Sequence, residues 1–246
     1  ASMKDWRLIY IIFAKSEDKL YISNKNRQAY FVLLSVCIIF VRINLKNCNV
    51  MFDKETYVQR RALLKKNIGS GVLLFLGNDE QGLNYEDNAF RYRQDSTFLY
   101  YFGLSFAGLS AIIDIDEDKE IIFGDELTID HIVWMGTQPT LKEKSERVGI
   151  RETLPSVAII SYLHKAVQKG QTVHYLPPYR PEHKLKLMDW LGIPPARQEG
   201  SVPFIRAVVA QRNYKSAEEI AEIEKACDVT ADMHIKAMEV IRPGMY

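Results

Sequence analysis

The chain has 246 residues, 47% hydrophobic and 26% charged, with 32 basic against 31 acidic side chains. A formal net charge of +1 gives no global field to gather nucleic acid or an anionic membrane, and the length accommodates one or two domains with a real core. Cys37, Cys48 and Cys227 form no C-x-x-C pair; they fit a reduced, cytoplasmic protein with incidental thiols and argue against a disulfide framework.

Residues 1–50 contain no glycine and no proline, although domains normally punctuate their turns with both. Within them, 30–41 (YFVLLSVCIIFV) is an apolar run of twelve, short of the roughly 20 needed to span a bilayer. Lys25 and Arg27 precede it as in a signal peptide, but Arg42, Ile43 and Asn44 supply no small-residue cleavage site. The expectation is a non-native or misassigned leader with Met51 as the true start; a membrane tether through 30–41 is the alternative.

From there the pattern is regular. Residues 53–66 (DKETYVQRRALLKK) read as an amphipathic helix capped by Asp53. Residues 72–76 (VLLFL) suit a strand covered on both faces. Residues 98–102 are aromatic and β-prone, and read as part of a buried strand. Residues 109–114 and 120–123 form a hairpin around the charged turn 116–119. Residues 155–168 and 181–191 have helical spacing, each opened by a proline. Residues 172–176 (TVHYL) are another strand, and Pro177, Pro178, Pro194, Pro195 and Pro203 mark loops. Strands alternating with helices predict an α/β fold, a mixed sheet flanked by helices. A domain boundary is expected near 201–206. Beyond it, Ser216 and Glu219 have capping-box spacing, and Ile220, Ile223, Cys227, Ala231, Ile235, Met238 and Ile241 line one helical face until Arg242-Pro243-Gly244.

Candidate chemistry is sparse. In 90–106 seven of seventeen residues are Phe or Tyr, with Arg91 and Arg93 interleaved. A single-strand nucleic-acid platform would use such residues, but the neutral chain and the fold pattern speak against it; the plainer reading pairs the arginines with Glu86, Asp87 or Asp95. None of His131, His164, His174, His183 and His234 has metal-ligand spacing. The glycines at 69 and 71 precede a strand rather than a helix, so they make no phosphate loop, and no G-x-S-x-G elbow occurs. Trp134, in 130–136 (DHIVWMG), reads as a residue between strand and loop, either packed in a core or presenting its indole to a proline ring or peptide backbone.

Two words carry a resemblance: 90–103 (FRYRQDSTFLYYFG), and 212–245 with K-S-A-E-E-I at 215–220, A-M-E at 237–239 and R-P-G-M at 242–245. In this order they resemble the aminopeptidase P (Xaa-Pro aminopeptidase) family over 51–246; the second word alone is shared with prolidases and creatinases. The resemblance implies a creatinase/aminopeptidase P N-terminal domain over 51–205 and, over 206–246, the start of a pita-bread catalytic domain that the chain does not complete. It implies an enzyme that releases the N-terminal residue from peptides with proline second, using two metal ions, manganese by type. Their ligands in the family (two aspartates, a histidine, two glutamates) fall beyond residue 246, so this chain is expected to hold no catalytic residue and no metal, and to be inactive alone. It further implies a homo-oligomer, with Trp134 of the W-x-G word at 134–136 and Asp87 as substrate-binding residues near a neighbouring subunit's groove. Neither nucleic acid nor membrane is expected as a partner. Prolidase (Xaa-Pro dipeptidase) activity, or a non-catalytic pseudopeptidase binding module, are the alternatives.

Overall fold

A computed structural model describes residues 50–85, 88–136 and 138–244. The leader expectation and the 30–41 run lie outside them. Helix α1 (Lys54–Ile68) starts after Asp53 and ends at Gly69, whose positive φ of 91° lets its N–H turn back to the Lys65 carbonyl. It buries Tyr57, Arg60, Arg61 and Leu64, a spacing of three, one and three that defines one face. Strand β1 (Val72–Leu76) follows as expected, and then a small exposed hairpin, β2 (Gly82–Tyr85) and β3 (Asn88–Ala89).

The aromatic stretch is where the sequence misleads. Residues Ser96–Phe102 form a helix, α2, rather than the expected strand. Asp95 decides it: Oδ1 accepts from the backbone N–H groups of Thr97 and Phe98 at 2.9 and 2.8 Å, nucleating the first turn. Phe98, Tyr101 and Phe102 then fall on one buried face. This capping role replaces the arginine pairing assigned to Asp95. Gly103 ends α2 in the left-handed region at φ 63°, where a Cβ would lie 2.5 Å from the Tyr57 ring, so the glycine is required by both backbone and packing.

Strands β4 (Ser110–Asp114) and β5 (Lys119–Phe123) form the expected hairpin. Then come two short helices the sequence reading passed over, α3 (Ile129–Met135) and α4 (Leu141–Glu146), and strand β6 (Glu152–Leu154). Helix α5 (Ala158–Gln168) begins later than expected, with Pro155 in the preceding turn. Strand β7 (Val173–Tyr175), helix α6 (Pro181–Leu191) with Pro181 in its first turn, and a 3-10 turn (Pro195–Arg197) follow. Helix α7 (Val202–Asn213) carries Pro203 in its first turn, where the sequence suggested a loop, and buries Phe204. Helix α8 (Ala217–Val240) opens with the Ser216–Glu219 capping box, as its spacing foretold.

The sheet order is β6-β5-β4-β1-β7. Pairs β1–β7 and β5–β6 are parallel, while β4 runs antiparallel between β1 and β5. This is the mixed α/β sheet flanked by helices. Alternation along β1 splits its side chains between two cores. Val72 and Leu74 join Ile112, Ile121 and Phe123 beneath Ile159 and Leu163 of α5 and Leu187 of α6. Phe75 points the other way, its ring centroid 5.4, 5.0 and 5.1 Å from those of Tyr101, Phe102 and Phe204. Each such pair contributes about 0.5–1.5 kcal/mol beyond burial.

A charge is built into that second layer. Arg61 is fully buried, yet its donors are met by Glu120 Oε2 at 2.7 Å and by the Tyr101 and Val148 carbonyls at 2.9 Å each. Desolvation lowers its pKa, with Glu120 acting in opposition. One guanidinium thereby ties α1 to α2, to β5 and to the turn before β6.

Candidate functional site

Because β1 and β5 run parallel, their carboxyl ends lie on the same edge of the sheet, and the excursions that leave them carry both candidate substrate residues. After β5, the segment 124–140 is held at its base by two carboxylates. Asp125 accepts from Ser156 N at 3.0 Å and Ser156 Oγ at 2.5 Å, and Glu126 accepts from Leu141 N at 2.9 Å. Thr140 caps α4 in a full capping box with Glu143, whose backbone hydrogen bond holds its carboxyl below the usual range.

Between these anchors stands α3, closed by Gly136 at φ 75°. Trp134 sits on this helix, not between strand and loop, and is 87% exposed. Ile129 and Val133 are 79% and 75% exposed beside it. At that exposure Trp134 packs into no core among the described residues. An indole held out on an anchored helix can stack on a proline ring or lie along a peptide backbone.

Asp87 falls outside the described residues. The hairpin that flanks it leaves the carboxyl end of β1, and every residue of β2 is exposed.

Between these excursions lies a cleft of about 340 Å³ whose lining includes Ser110, Phe123, Ile160 and Trp190. Two of its polar groups are engaged within the chain: Asp79 pairs with Lys186 at 2.7 Å, and Asp125 accepts hydrogen bonds from Ser156.

The base of the β1 excursion is a polar network that the sequence reading missed. Gln94, 3% exposed, accepts from Asn78 N at 2.8 Å and Asp95 N at 2.9 Å, and donates to the Phe106 carbonyl at 3.0 Å. Tyr92 donates to the Asn78 and Phe106 carbonyls at 3.2 and 2.9 Å, and burial raises its pKa above the usual phenol range. His183 lies 3.0 Å from the Gly77 carbonyl through Nε2, and burial lowers its pKa. The one sequence signal was the polar word at 92–95, which interrupts an otherwise aromatic stretch. This network fixes the exit of the hairpin; it is fully engaged in structural bonds.

Among the described residues no group of three or more His, Cys, Asp or Glu could hold a metal ion. The donor set of a dinuclear centre is therefore not present among them, and no step is assigned to a metal here.

The profile of the aminopeptidase P N-terminal domain matches residues 57–175. The chain is 25% identical over 207 residues to the Xaa-Pro aminopeptidase of Escherichia coli, covering 79% of this chain and 46% of that protein. It is 28% identical over 176 residues to a probable Xaa-Pro aminopeptidase of Chaetomium globosum, covering 70% and 28%. Against the human Xaa-Pro dipeptidase, identity is 33% over 90 residues, 35% of this chain and 18% of that one. Among solved structures, aminopeptidase PepP of Pseudomonas aeruginosa superposes with a TM-score of 0.67 at 25% identity, over 80% of this chain and 47% of that one. Zinc-substituted E. coli aminopeptidase P in complex with product has a similar fold at 23% identity. The chain thus spans less than half the length of these relatives.

Proposed function

We propose that the chain carries the N-terminal domain of the aminopeptidase P family and is the N-terminal portion of an Xaa-Pro aminopeptidase. The observation that carries this is the profile match over 57–175, joined to a likeness of fold over 80% of the chain. The proposed division is a sheet domain over 51–205 and the beginning of a metallopeptidase domain over 206–246. Helix α7 straddles that line and packs on the sheet through Phe204.

The amide before proline is tertiary, with no N–H for an enzyme to bind. In the proposed enzyme two manganese ions, held by residues outside this chain, would activate water and bind the developing oxyanion. Among the described residues no group of ligands for that step is found. The chain's part is to shape the groove and to hold neighbouring subunits of a homo-oligomer. Trp134 is assigned to contact the proline-bearing substrate, and Asp87 to lie near the same groove. The balanced net charge and the cysteine usage favour a cytoplasmic protein without a nucleic-acid partner. Among the described residues no helix is long and apolar enough to cross a membrane. A prolidase is the second reading, favoured by the 33% identity to the human dipeptidase over 90 residues.

The test is a chimera in which residues 52–246 replace the matching part of the E. coli Xaa-Pro aminopeptidase. The expected result is release of the N-terminal residue from X-Pro tripeptides. Trp134→Ala in that chimera should raise KM with kcat little changed, since the indole binds substrate without touching the scissile bond. A folded chimera that cleaves only X-Pro dipeptides would favour the prolidase; one without activity on either would refute the peptidase assignment.

A further inference from the structure

Helix α8 has no buried residue along its 24, and beyond Glu222 only Lys236 is even half-buried. Its direction relative to the sheet is therefore set at its first turn. There it meets Arg60 of α1, which differs from its neighbour Arg61 in one respect: its hydrogen bonding is incomplete. The Arg60 side chain is 7% exposed. Nη1 donates to the Tyr100 carbonyl at 2.9 Å. The guanidinium lies 4.0 Å from the Tyr100 ring centroid and 4.8 Å from that of Phe52. Nη2 is buried with no hydrogen-bond partner, and Glu219 Oε1 stands 3.6 Å from it.

We propose that Arg60 is the positioning residue for α8: an aromatic-caged guanidinium whose unmet donor draws in Glu219 and so fixes the angle at which α8 leaves the sheet domain. The planar cation fits flat against the rings, where a lysine ammonium would not. The cage itself is rigid. The Arg60 carbonyl accepts from Gln211 Nε2 at 2.9 Å, Gln211 Oε1 accepts from Tyr101 OH at 2.7 Å, and Arg212 Nη1 donates to Thr97 Oγ1 at 2.9 Å. These bonds fasten α7 to α1 and α2 just before α8 begins. Glu219 has two duties at once: Oε2 accepts from Ser216 N at 3.0 Å to complete the capping box, while Oε1 faces Arg60. The helix start and its docking are thus read by one carboxylate. A buried cation without that carboxylate would keep only one carbonyl and the ring faces, so the arrangement resists opening. This deepens the peptidase proposal, in which α8 opens the catalytic domain, but the claim about α8 stands on this chain alone.

The test measures the direction of α8 without any activity. In a Cys37→Ser, Cys48→Ser background, spin labels at Cys227 on α8 and at Lys165→Cys on α5 report one distance by pulsed electron resonance. The expected result is a single narrow distribution for the parent, lost in Glu219→Gln and in Arg60→Met. Glu219→Gln is the deciding variant, since glutamine preserves the capping box and removes only the charge. Circular dichroism checks that its helix content is unchanged. Arg60→Lys should broaden the distribution as well, because it keeps the charge and loses the stacking. A parent that is already broad, or a Glu219→Gln variant as narrow as the parent, overturns the proposal. Neither outcome touches the X-Pro assignment, which the chimera tests separately.

Discussion

Helices α5 and α8 carry the same kind of apolar repeat and have opposite fates. Along α5, Ile159, Leu163 and Ala166 are buried against the sheet. Along α8, Ile220, Ile223, Ile235 and Met238 are all exposed. Periodicity tells which side of a helix is apolar; what covers that side depends on the chain that surrounds it. The strands β1, β4 and β5 that receive α5 are in this domain. In the proposed enzyme the surface that receives α8 is supplied by the catalytic domain.

The contrast is broken most forcefully at Leu163, which is fully buried in the layer between β1 and α6. Leu163→Ala should cost about 2–5 kcal/mol, the lost transfer energy plus the cavity left behind. Urea unfolding should show a lower midpoint with the slope unchanged. A cost below about 0.5 kcal/mol, within the range of ordinary surface changes, would mean that the α5 layer is not close-packed.

A smaller effect is expected where a local bond, rather than burial, sets the structure. Asp95→Ala removes the acceptor for both Thr97 N and Phe98 N and should cost about 1 kcal/mol, with Asp95→Asn retaining most of the stability. If Asp95→Ala unfolds as the parent does, tertiary packing of Phe98 and Phe102 is enough to make α2 a helix, and the cap is incidental.

That point also separates what the sequence discloses from what it conceals. Strand β1, the β4–β5 hairpin and helix α6 could be read directly, because a short apolar run bounded by Gly71 and Gly77, a charged turn between two apolar runs, and helical spacing behind a proline each combine two signals that agree. The capping box at Ser216 was equally legible. Helix α2 was concealed, since aromatic residues favour strands intrinsically while the fold rewards them for sharing a helical face. Helix α7 was concealed by Pro203, which marks a loop or a first turn with equal ease. At the candidate site, Trp134 could be singled out by its motif, but its exposure on a helix could not, and the segment that carries it is anchored through Asp125 and Glu126 to Ser156 and Leu141, which are distant in sequence. Arg60 and Arg61 read alike, as adjacent helix positions. Only the fold gives one a full set of acceptors and leaves the other reaching for α8.

The smallest effect sharpens the comparison most. Ile223 is 48% exposed on α8. Replacing it with alanine trims a half-exposed side chain and installs a better helix former, so Ile223→Ala should change the stability of this chain by no more than about 0.5 kcal/mol in either direction. Placed in the full-length chimera, the same substitution should be costly, at about 2–5 kcal/mol, if the catalytic fold buries that face. Equal, small effects in both settings would show that the apolar side of α8 stays in water even in the longer protein, and the parallel drawn with α5 would then fail. Equal, large effects would show that the sheet domain already covers α8, and the role given to the Arg60–Glu219 pair in directing it would become redundant.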